Sequence, residues 1–369
     1  MKYTRKNQKM KKIKLFDPNI SKEEFIALKK SFDSRFWASG AGKGNVEKFE
    51  NKFNSYIGSR ECVAVNSGTA ALHLALGLED LRGKEVILPS LSFVSTAHAV
   101  MYNGGKPIFA DIDPETLCIN FESIEDKITS KTQVVLPVHF AGMPSNLNKI
   151  QKICNDNNLV MIEDAAHASG TSFKKNKIGT HGKTVCFSFH PVKNLSMPTG
   201  GAITVNGRNS KKLKEKLKSL RWCGISNRKN YEYDVKELGW NYYMNEFSAV
   251  IGLVQLKKLD HLNKKRKLIA RKYEKGINIE NKMPFSNSCS YHMYWIRVKN
   301  RKEFMKKLKA VNVETGIHYK PIHQMSLYKK SNKLPITETV SDEIVSIPIH
   351  PNLSNNEIDF IIESVNRFN

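Results

Sequence analysis

Between residues 60 and 205 the chain repeats one pattern, and that pattern limits the fold more than any other feature. Short apolar runs stand at 62–65, 85–88, 107–110, 134–138, 160–162, 184–187 and 202–205, and helical stretches at 70–78, 94–102 and 146–157 lie among them. Strands that alternate with helices in this way predict crossover units and a mostly parallel sheet covered on both sides. The expected fold class is α/β: a large three-layer domain on a mostly parallel mixed sheet. In such sheets ligands bind beyond the carboxyl ends of the strands. The residues that follow each run are therefore where chemistry is to be sought.

The flanking segments read differently. Ser21-Lys22-Glu23-Glu24 has the make-up of a capped helix start, and an amphipathic stretch continues to about Phe32. After the break at Gly40-Ala41-Gly42-Lys43-Gly44, Val46, Phe49, Phe53 and Tyr56 recur on one helix face. Residues 210–275 read as helical and basic. Phe247, Val250, Ile251 and Val254 form a stripe there, and Lys264, Lys265, Arg266, Lys267, Arg271 and Lys272 follow it. From 288 onward a strand at 291–298, a helix at 301–310, and a closing strand and helix (357–367) predict a smaller C-terminal α+β domain. The expected division is 1–36, an arm and helix; 37–258, the large domain; and 259–369, the small domain.

Four segments at predicted strand ends carry polar chemistry. Val65-Asn66-Ser67-Gly68-Thr69-Ala70 passes from a strand through a tight turn into a helix, where free N–H groups can cradle a phosphate or merely be capped. Leu88-Pro89-Ser90-Leu91-Ser92-Phe93 places an aromatic ring just past a strand, to stack on a flat ligand or to fill a core. Val160-Met161-Ile162-Glu163-Asp164-Ala165-Ala166-His167 places two carboxylates and a histidine after a buried strand. Asp164 there can pair with a protonated ring nitrogen, hold a metal or cap a helix. Phe187-Ser188-Phe189-His190-Pro191-Val192-Lys193 brings a lysine close behind a strand, where a depressed pKa would make its amine a nucleophile.

In this chain order, a phosphate cradle, a stacking aromatic, an acid and then Ser188-x-x-x-x-Lys193 form the parts list for pyridoxal 5′-phosphate. On these motifs the chain resembles the DegT/DnrJ/StrS family of sugar aminotransferases, from about Trp37 to the C-terminus. Leu238-Gly239-Trp240-Asn241-Tyr242 and Gly316-Ile317-His318-Tyr319-Lys320-Pro321-Ile322-His323 extend the likeness. The resemblance implies the fold-type-I aspartate-aminotransferase architecture and pyridoxal 5′-phosphate as cofactor. Residue by residue, it implies Lys193 as the covalent attachment point and Asp164 as the partner of the pyridine nitrogen. Phe93 would stack on the ring and His167 would lie beside it. Gly68, Thr69 and Ser188 would hold the phosphate, and Asn241 would reach the phosphate of a neighbouring subunit. His318, Tyr319 and His323 are candidates for the sugar side, with packing as the alternative. The implied reaction moves an amino group from L-glutamate to a keto group of a nucleotide-linked sugar, for surface polysaccharide or amino-sugar synthesis, in a homodimer with shared sites.

Three departures from the family pattern bear on this. Relatives with a histidine at the place of Lys193 dehydrate a sugar instead, which makes a dehydratase the alternative function, and the lysine argues against it. Pro198-Thr199 stands where Gly-Glu is common before the two glycines, and Tyr243 replaces a common arginine in Asn241-Tyr242-Tyr243-Met244.

Composition enters through charge. Lys+Arg at 59 against Asp+Glu at 35 leaves +24, which favours acidic partners such as nucleic acid, an anionic membrane or phosphorylated small molecules. A compositional bias toward Lys, Asn and Ile is the simpler source of that excess. A basic regulatory or nucleic-acid-binding protein on this scaffold is a distant alternative. The run at 264–272 has no interleaved aromatics for base stacking, the cofactor residues are intact, and no nucleic acid is expected. Residues 1–14 hold seven cations and no acid, and no apolar segment of a secretory signal follows them, so they predict a mobile arm. No run of 18 apolar residues predicts a membrane span. Six unpaired cysteines fit neither a zinc site nor a disulfide framework, no metal is expected, and a reducing cytoplasm is.

Overall fold

The computed structural model describes residues 11–328 and 333–369. Every apolar run of the alternating region becomes a strand: β1 Glu61–Val65, β2 Glu85–Pro89, β3 Lys106–Ala110, β4 Thr132–Val135 and β5 Val160–Asp164, then, after a small hairpin of β6 Ser172–Phe173 and β7 Asn176–Lys177, β8 Thr184–Ser188 and β9 Gly201–Val205. The seven larger strands form one sheet in the order β1-β9-β8-β5-β4-β2-β3. Pairings β3-β2, β2-β4, β4-β5 and β5-β8 are parallel, whereas β9 runs antiparallel to both β8 and β1.

Helices cover both faces. Helix α1 (Lys22–Asp33) precedes α2 (Asn45–Ile57). Helices α3 (Gly68–Leu76), α4 (Ser95–Tyr102), α5 (Phe121–Glu125) and α6 (Leu147–Asp156) lie between the strands, and α7 (Ser210–Leu220) follows β9. Alternate strand residues enter opposite cores. Val63, Val65, Val86, Leu88 and Ile162 pack with α3, α4 and α7, while Cys62, Ala64, Ile87, Met161 and Phe187 join Phe49, Phe53 and Ile150 of α2 and α6. Because both faces are buried, the strands are apolar throughout and do not alternate with polar residues. Each fully buried Val, Leu, Ile or Phe contributes about 1.5–3 kcal/mol.

Past α7 the structure corrects the all-helical reading of 210–275. An antiparallel hairpin, β10 Ile225–Lys229 and β11 Glu232–Val235, separates α7 from the 31-residue helix α8 (Glu246–Gly276). The hairpin is exposed along most of its length, so no apolar face marks its period in the sequence. Strand β12 (Tyr294–Arg297), α9 (Arg301–Ala310), α10 (Pro335–Glu343), β13 (Ile344–Ile347) and α11 (Asn355–Phe368) complete the chain. They share a core that includes Tyr294, Trp295, Phe304, Val345 and Ile361. Helix α8 runs unbroken across 258/259. It sends Leu259 into the sheet core and Ile269 and Tyr273 into the C-terminal core.

The start of the described chain is anchored. Residues 1–10 lie outside the described residues, but Ile13 is buried and pairs in parallel with Val313. Among the described residues, Ile13 thus joins the C-terminal core.

Two buried carboxylates tie distant segments together. Glu246 of α8 accepts from the N–H groups of Asn45 and Val46 at 3.0 and 3.2 Å, capping an α2 whose own N-cap, Gly44, has no side chain. Glu50 of α2 pairs with Arg221, both buried, and accepts the Ala64 N–H at 2.8 Å. Replacing Glu50 with alanine strands the guanidinium and that amide in the core. The expected cost is about 3–5 kcal/mol, read as a lowered urea midpoint. A midpoint unchanged from wild type would show that the pair does not tie α2 to the sheet.

Candidate active site

Strands β1, β2, β5 and β8 all deliver their carboxyl ends to one side of the sheet, and a cleft of about 380 Å³ opens there. Gly68, Thr69, Phe93, Asp164, His167, Ser188, Lys193, His318 and Tyr319 all line it. Nine of the eleven residues singled out from the sequence thus meet in one place. Asn241 and His323 do not line it.

The cradle is built locally. Ser67 caps α3 by accepting the Ala70 N–H at 3.1 Å. Gly68 and Thr69, as first residues of the helix, keep N–H groups without intrahelical acceptors. A Cβ at Gly68 would stand 2.7 Å from the Ser188 Cβ. Glycine is therefore what lets the α3 turn close on the β8 end.

Asp164, at the tip of β5, is the buried acid. Its Oδ2 accepts from Thr96 Oγ1 at 2.8 Å and its Oδ1 from the Ala166 N–H at 3.0 Å. The Thr96 hydroxyl in turn accepts from Ser92 Oγ at 2.8 Å. Burial pushes the Asp164 carboxyl up, opposed by those hydrogen bonds and by the Lys193 charge. A carboxylate held this way gains most from a cationic partner within the cleft.

Lys193 is half-buried in the cleft wall, and desolvation there brings its amine down from the usual lysine range to about 8, against the pull of Asp164. Near neutral pH an appreciable fraction is then the free base. Its Nζ lies 3.4 Å from His292 Nε2. The His167 ring lies tilted against His292 at 4.6 Å between centroids, and Phe16 stacks on the other ring, His292, at 5.5 Å. Burial, reinforced by the Lys193 charge, holds His167 and His292 well below the ordinary histidine range and His318 at about 4. Three neutral imidazoles therefore line the cleft that holds the amine.

The tautomers follow from the donors. The Ala141 N–H donates to His167 Nδ1 at 3.3 Å, which leaves the proton on Nε2. That proton goes to Tyr319 Oη, 3.2 Å away, and frees the tyrosine hydroxyl to donate into the cleft.

Phe93 is 56% exposed on the cleft wall, 6.0 Å from the Tyr319 ring. Thr199, in the loop that departs from the family pattern, donates its hydroxyl to the Asn66 carbonyl and binds that loop to the β1 end. His323 is taken up elsewhere: it is buried between Ser90 Oγ at 2.6 Å and Glu338 Oε1 at 3.2 Å. These contacts favour packing, the alternative held open for it. Asn241 is exposed, and its backbone pairs with Trp222.

Sequence reasoning missed Thr96, Phe16 and His292. Thr96 stands one turn past Phe93 and was legible only as a helix residue. His292 was read as part of a strand from 291, but Tyr291 has a φ of 51° and the strand starts at Tyr294. The turn hands His292 to the cleft, where its backbone N–H donates to Ala141 at 2.9 Å.

A glycine-gated anion cradle, a buried carboxylate and a deprotonatable, half-buried lysine within one cleft fit pyridoxal 5′-phosphate by their donor set. This cleft, at the strand ends of this sheet, places the chain in the class of pyridoxal-phosphate-dependent aminotransferases. A model of the DegT/DnrJ/EryC1/StrS aminotransferase family matches residues 18–366, and the chain belongs to that family. GDP-perosamine synthase of Escherichia coli O157:H7 is 34% identical over 368 residues, covering 97% of this chain and 99% of its own. Among solved structures, Helicobacter pylori PseC, an aminotransferase involved in the biosynthesis of pseudoaminic acid, superposes with a TM-score of 0.92 at 27% identity, over 97% of this chain and 99% of its own. The PMP-form of Spr1654 from Streptococcus pneumoniae also reaches 0.92, at 25% identity, over 97% and 98%.

The pH dependence of cofactor capture follows from Lys193. Only the unprotonated amine attacks an aldehyde. Trapping of pyridoxal 5′-phosphate on the apoprotein with borohydride should speed up as pH rises and level off above about 8. A rate that keeps climbing past pH 10 would mean an ordinary, solvent-facing lysine.

Proposed function

We propose that the enzyme transfers the amino group of L-glutamate to a keto group of a nucleotide-linked sugar, for amino-sugar or surface polysaccharide synthesis, as a cytoplasmic homodimer with shared active sites. The observation that supports this most is end-to-end similarity to GDP-perosamine synthase, named for a GDP-linked product, joined to a cleft lined by nine of the eleven residues singled out from the sequence. Lys193 argues against the dehydratase reading.

When bound, pyridoxal 5′-phosphate supplies an aldehyde that takes up amines and a ring that draws electrons from the bond being broken. The chain's residues do the rest. Gly68 and Thr69 N–H groups with the Ser188 hydroxyl would hold the phosphate, and Phe93 and His167 would lie beside the ring. The Asp164 carboxylate, fixed by Thr96 and the Ala166 amide, keeps a proton on the ring nitrogen. Lys193 Nζ would hold the aldehyde and, when freed by the donor's amine, would take the proton from the donor's α-carbon and return it within the same cleft. Tyr319 and His318 face the acceptor. Purified enzyme with glutamate should be screened against several nucleotide-linked keto sugars, with product masses read by mass spectrometry. Transfer to none of them, with 2-oxoglutarate still released, would refute the acceptor class.

A dimer is supported by large apolar side chains left exposed: Phe32, Phe36 and Trp37 near the α1 end, and Tyr231 and Tyr233 at the hairpin. Asn241, outside its own cleft and exposed, is free to serve a partner. Mixing Lys193→Ala with Asn241→Ala subunits should restore activity. Each mixed dimer would hold one doubly damaged site and one intact site. Mixtures as inactive as their parents would place Asn241 within a single chain's site. No helix among the described residues is long and apolar enough to cross a membrane.

A further inference from the structure

A second hollow, of about 1030 Å³, adjoins the cleft, and Phe16 and Val192 line both. Its walls come from α9 and from the amino-terminal segment. Lys302, Lys306 and Lys309 all line it. Their spacing of four and three places them on one face of α9, while Phe304 and Leu308 on the opposite side are buried. Across the hollow stands Lys12, which is paired with Glu314. Its segment is anchored by the Ile13–Val313 pairing. Among the described residues none of Lys302, Lys306 and Lys309 is paired with an acid. Like charges at this helical spacing repel one another, so the row suits an anion that neutralises it.

We propose that this hollow receives the nucleoside diphosphate of the acceptor, with Lys302, Lys306 and Lys309 on the diphosphate and the sugar passing Phe16 into the cleft. The inference rests on the nucleotide-sugar reading above. Ammonium groups serve phosphate oxygens as point charges and tolerate variation in the nucleoside. The diphosphate is thus gripped at one end while the keto carbon meets Lys193 and Tyr319 at the other.

The test uses holoenzyme, titrated calorimetrically with UDP, GDP and dTDP at low and moderate salt. The wild type should bind at least one of them. The triple variant Lys302→Ala/Lys306→Ala/Lys309→Ala should bind it about tenfold or more weakly, with a flatter salt dependence. Inorganic pyrophosphate should compete at higher concentration. The spectral change on adding glutamate should be the same in wild type and variant, which shows that the fold and the first half-reaction survive. A Lys264→Ala/Lys265→Ala control, on exposed positions of α8, should bind as wild type does. Equal binding by the triple variant, equal weakening by the control, or no competition by pyrophosphate would each overturn the assignment of the hollow while leaving the acceptor class standing. Failure of the wild type to bind any of the three nucleotides would instead remove the nucleotide reading and this inference with it.

Discussion

Replacing Lys193 with alanine is expected to reduce transamination by about 10⁴-fold or more, the upper end for a positioned proton-transfer group with its covalent role lost as well. The geometry gives the reason. Lys193 is half-buried, and its amine lies lower than that of an exposed lysine, at about 8. Three imidazoles of the same cleft, kept neutral by burial, cannot take over as strong bases. His292, 3.4 Å away, is the nearest substitute and has no aldehyde-binding chemistry of its own. The check has two parts. Borohydride reduction of the holoenzyme followed by peptide mapping should label Lys193 and no other lysine. The Lys193→Ala protein should still take up cofactor, without covalent capture. A label on a different lysine, or turnover within tenfold of wild type, would defeat the assignment.

Asp164→Asn should cost about 10²–10³-fold in turnover with the fold intact. A charge-assisted hydrogen bond is worth about 1.5–3 kcal/mol, roughly 10–150-fold at about 1.4 kcal/mol per decade. Loss of the proton held on the ring nitrogen adds to this. The amide fits the existing donors in one orientation: its oxygen takes the Ala166 N–H and its NH₂ turns to Thr96, whose hydroxyl can accept. Unfolding curves should therefore overlay those of the wild type. Near-normal rates with cofactor bound would contradict the role, and so would a collapse of stability that accounts for the loss.

How much of this was readable from the residues differs between sheet and site. All seven large strands were legible because burial on both faces makes each a continuous apolar run. The capping box at Ser21 and Glu24, observed as such, was legible because it is contained within four residues. The Gly68 turn, Asp164 and Lys193 were legible because each combines a strand end with a residue type of narrow chemistry. The hairpin at 225–235 was not, since an exposed ribbon has no buried face to impose a period. His323 looked like a neighbour of His318 and Tyr319, yet it turns to Ser90, 233 residues away in sequence.

The sequence by itself determined the class of fold, the strand-end motifs and, through them, the family. These are local patterns set by burial and backbone chemistry within a few residues. The tertiary structure alone decided the reversal of β9 and the placing of its neighbours. It decided that Glu246 caps α2 from 201 residues away and that His292 meets Lys193 across 99. It also brought the α9 lysines to a hollow shared with Phe16. The physical reason is that such pairings are chosen by the packing of whole elements around common cores. Their partners carry no fixed spacing along the chain from which they could be read.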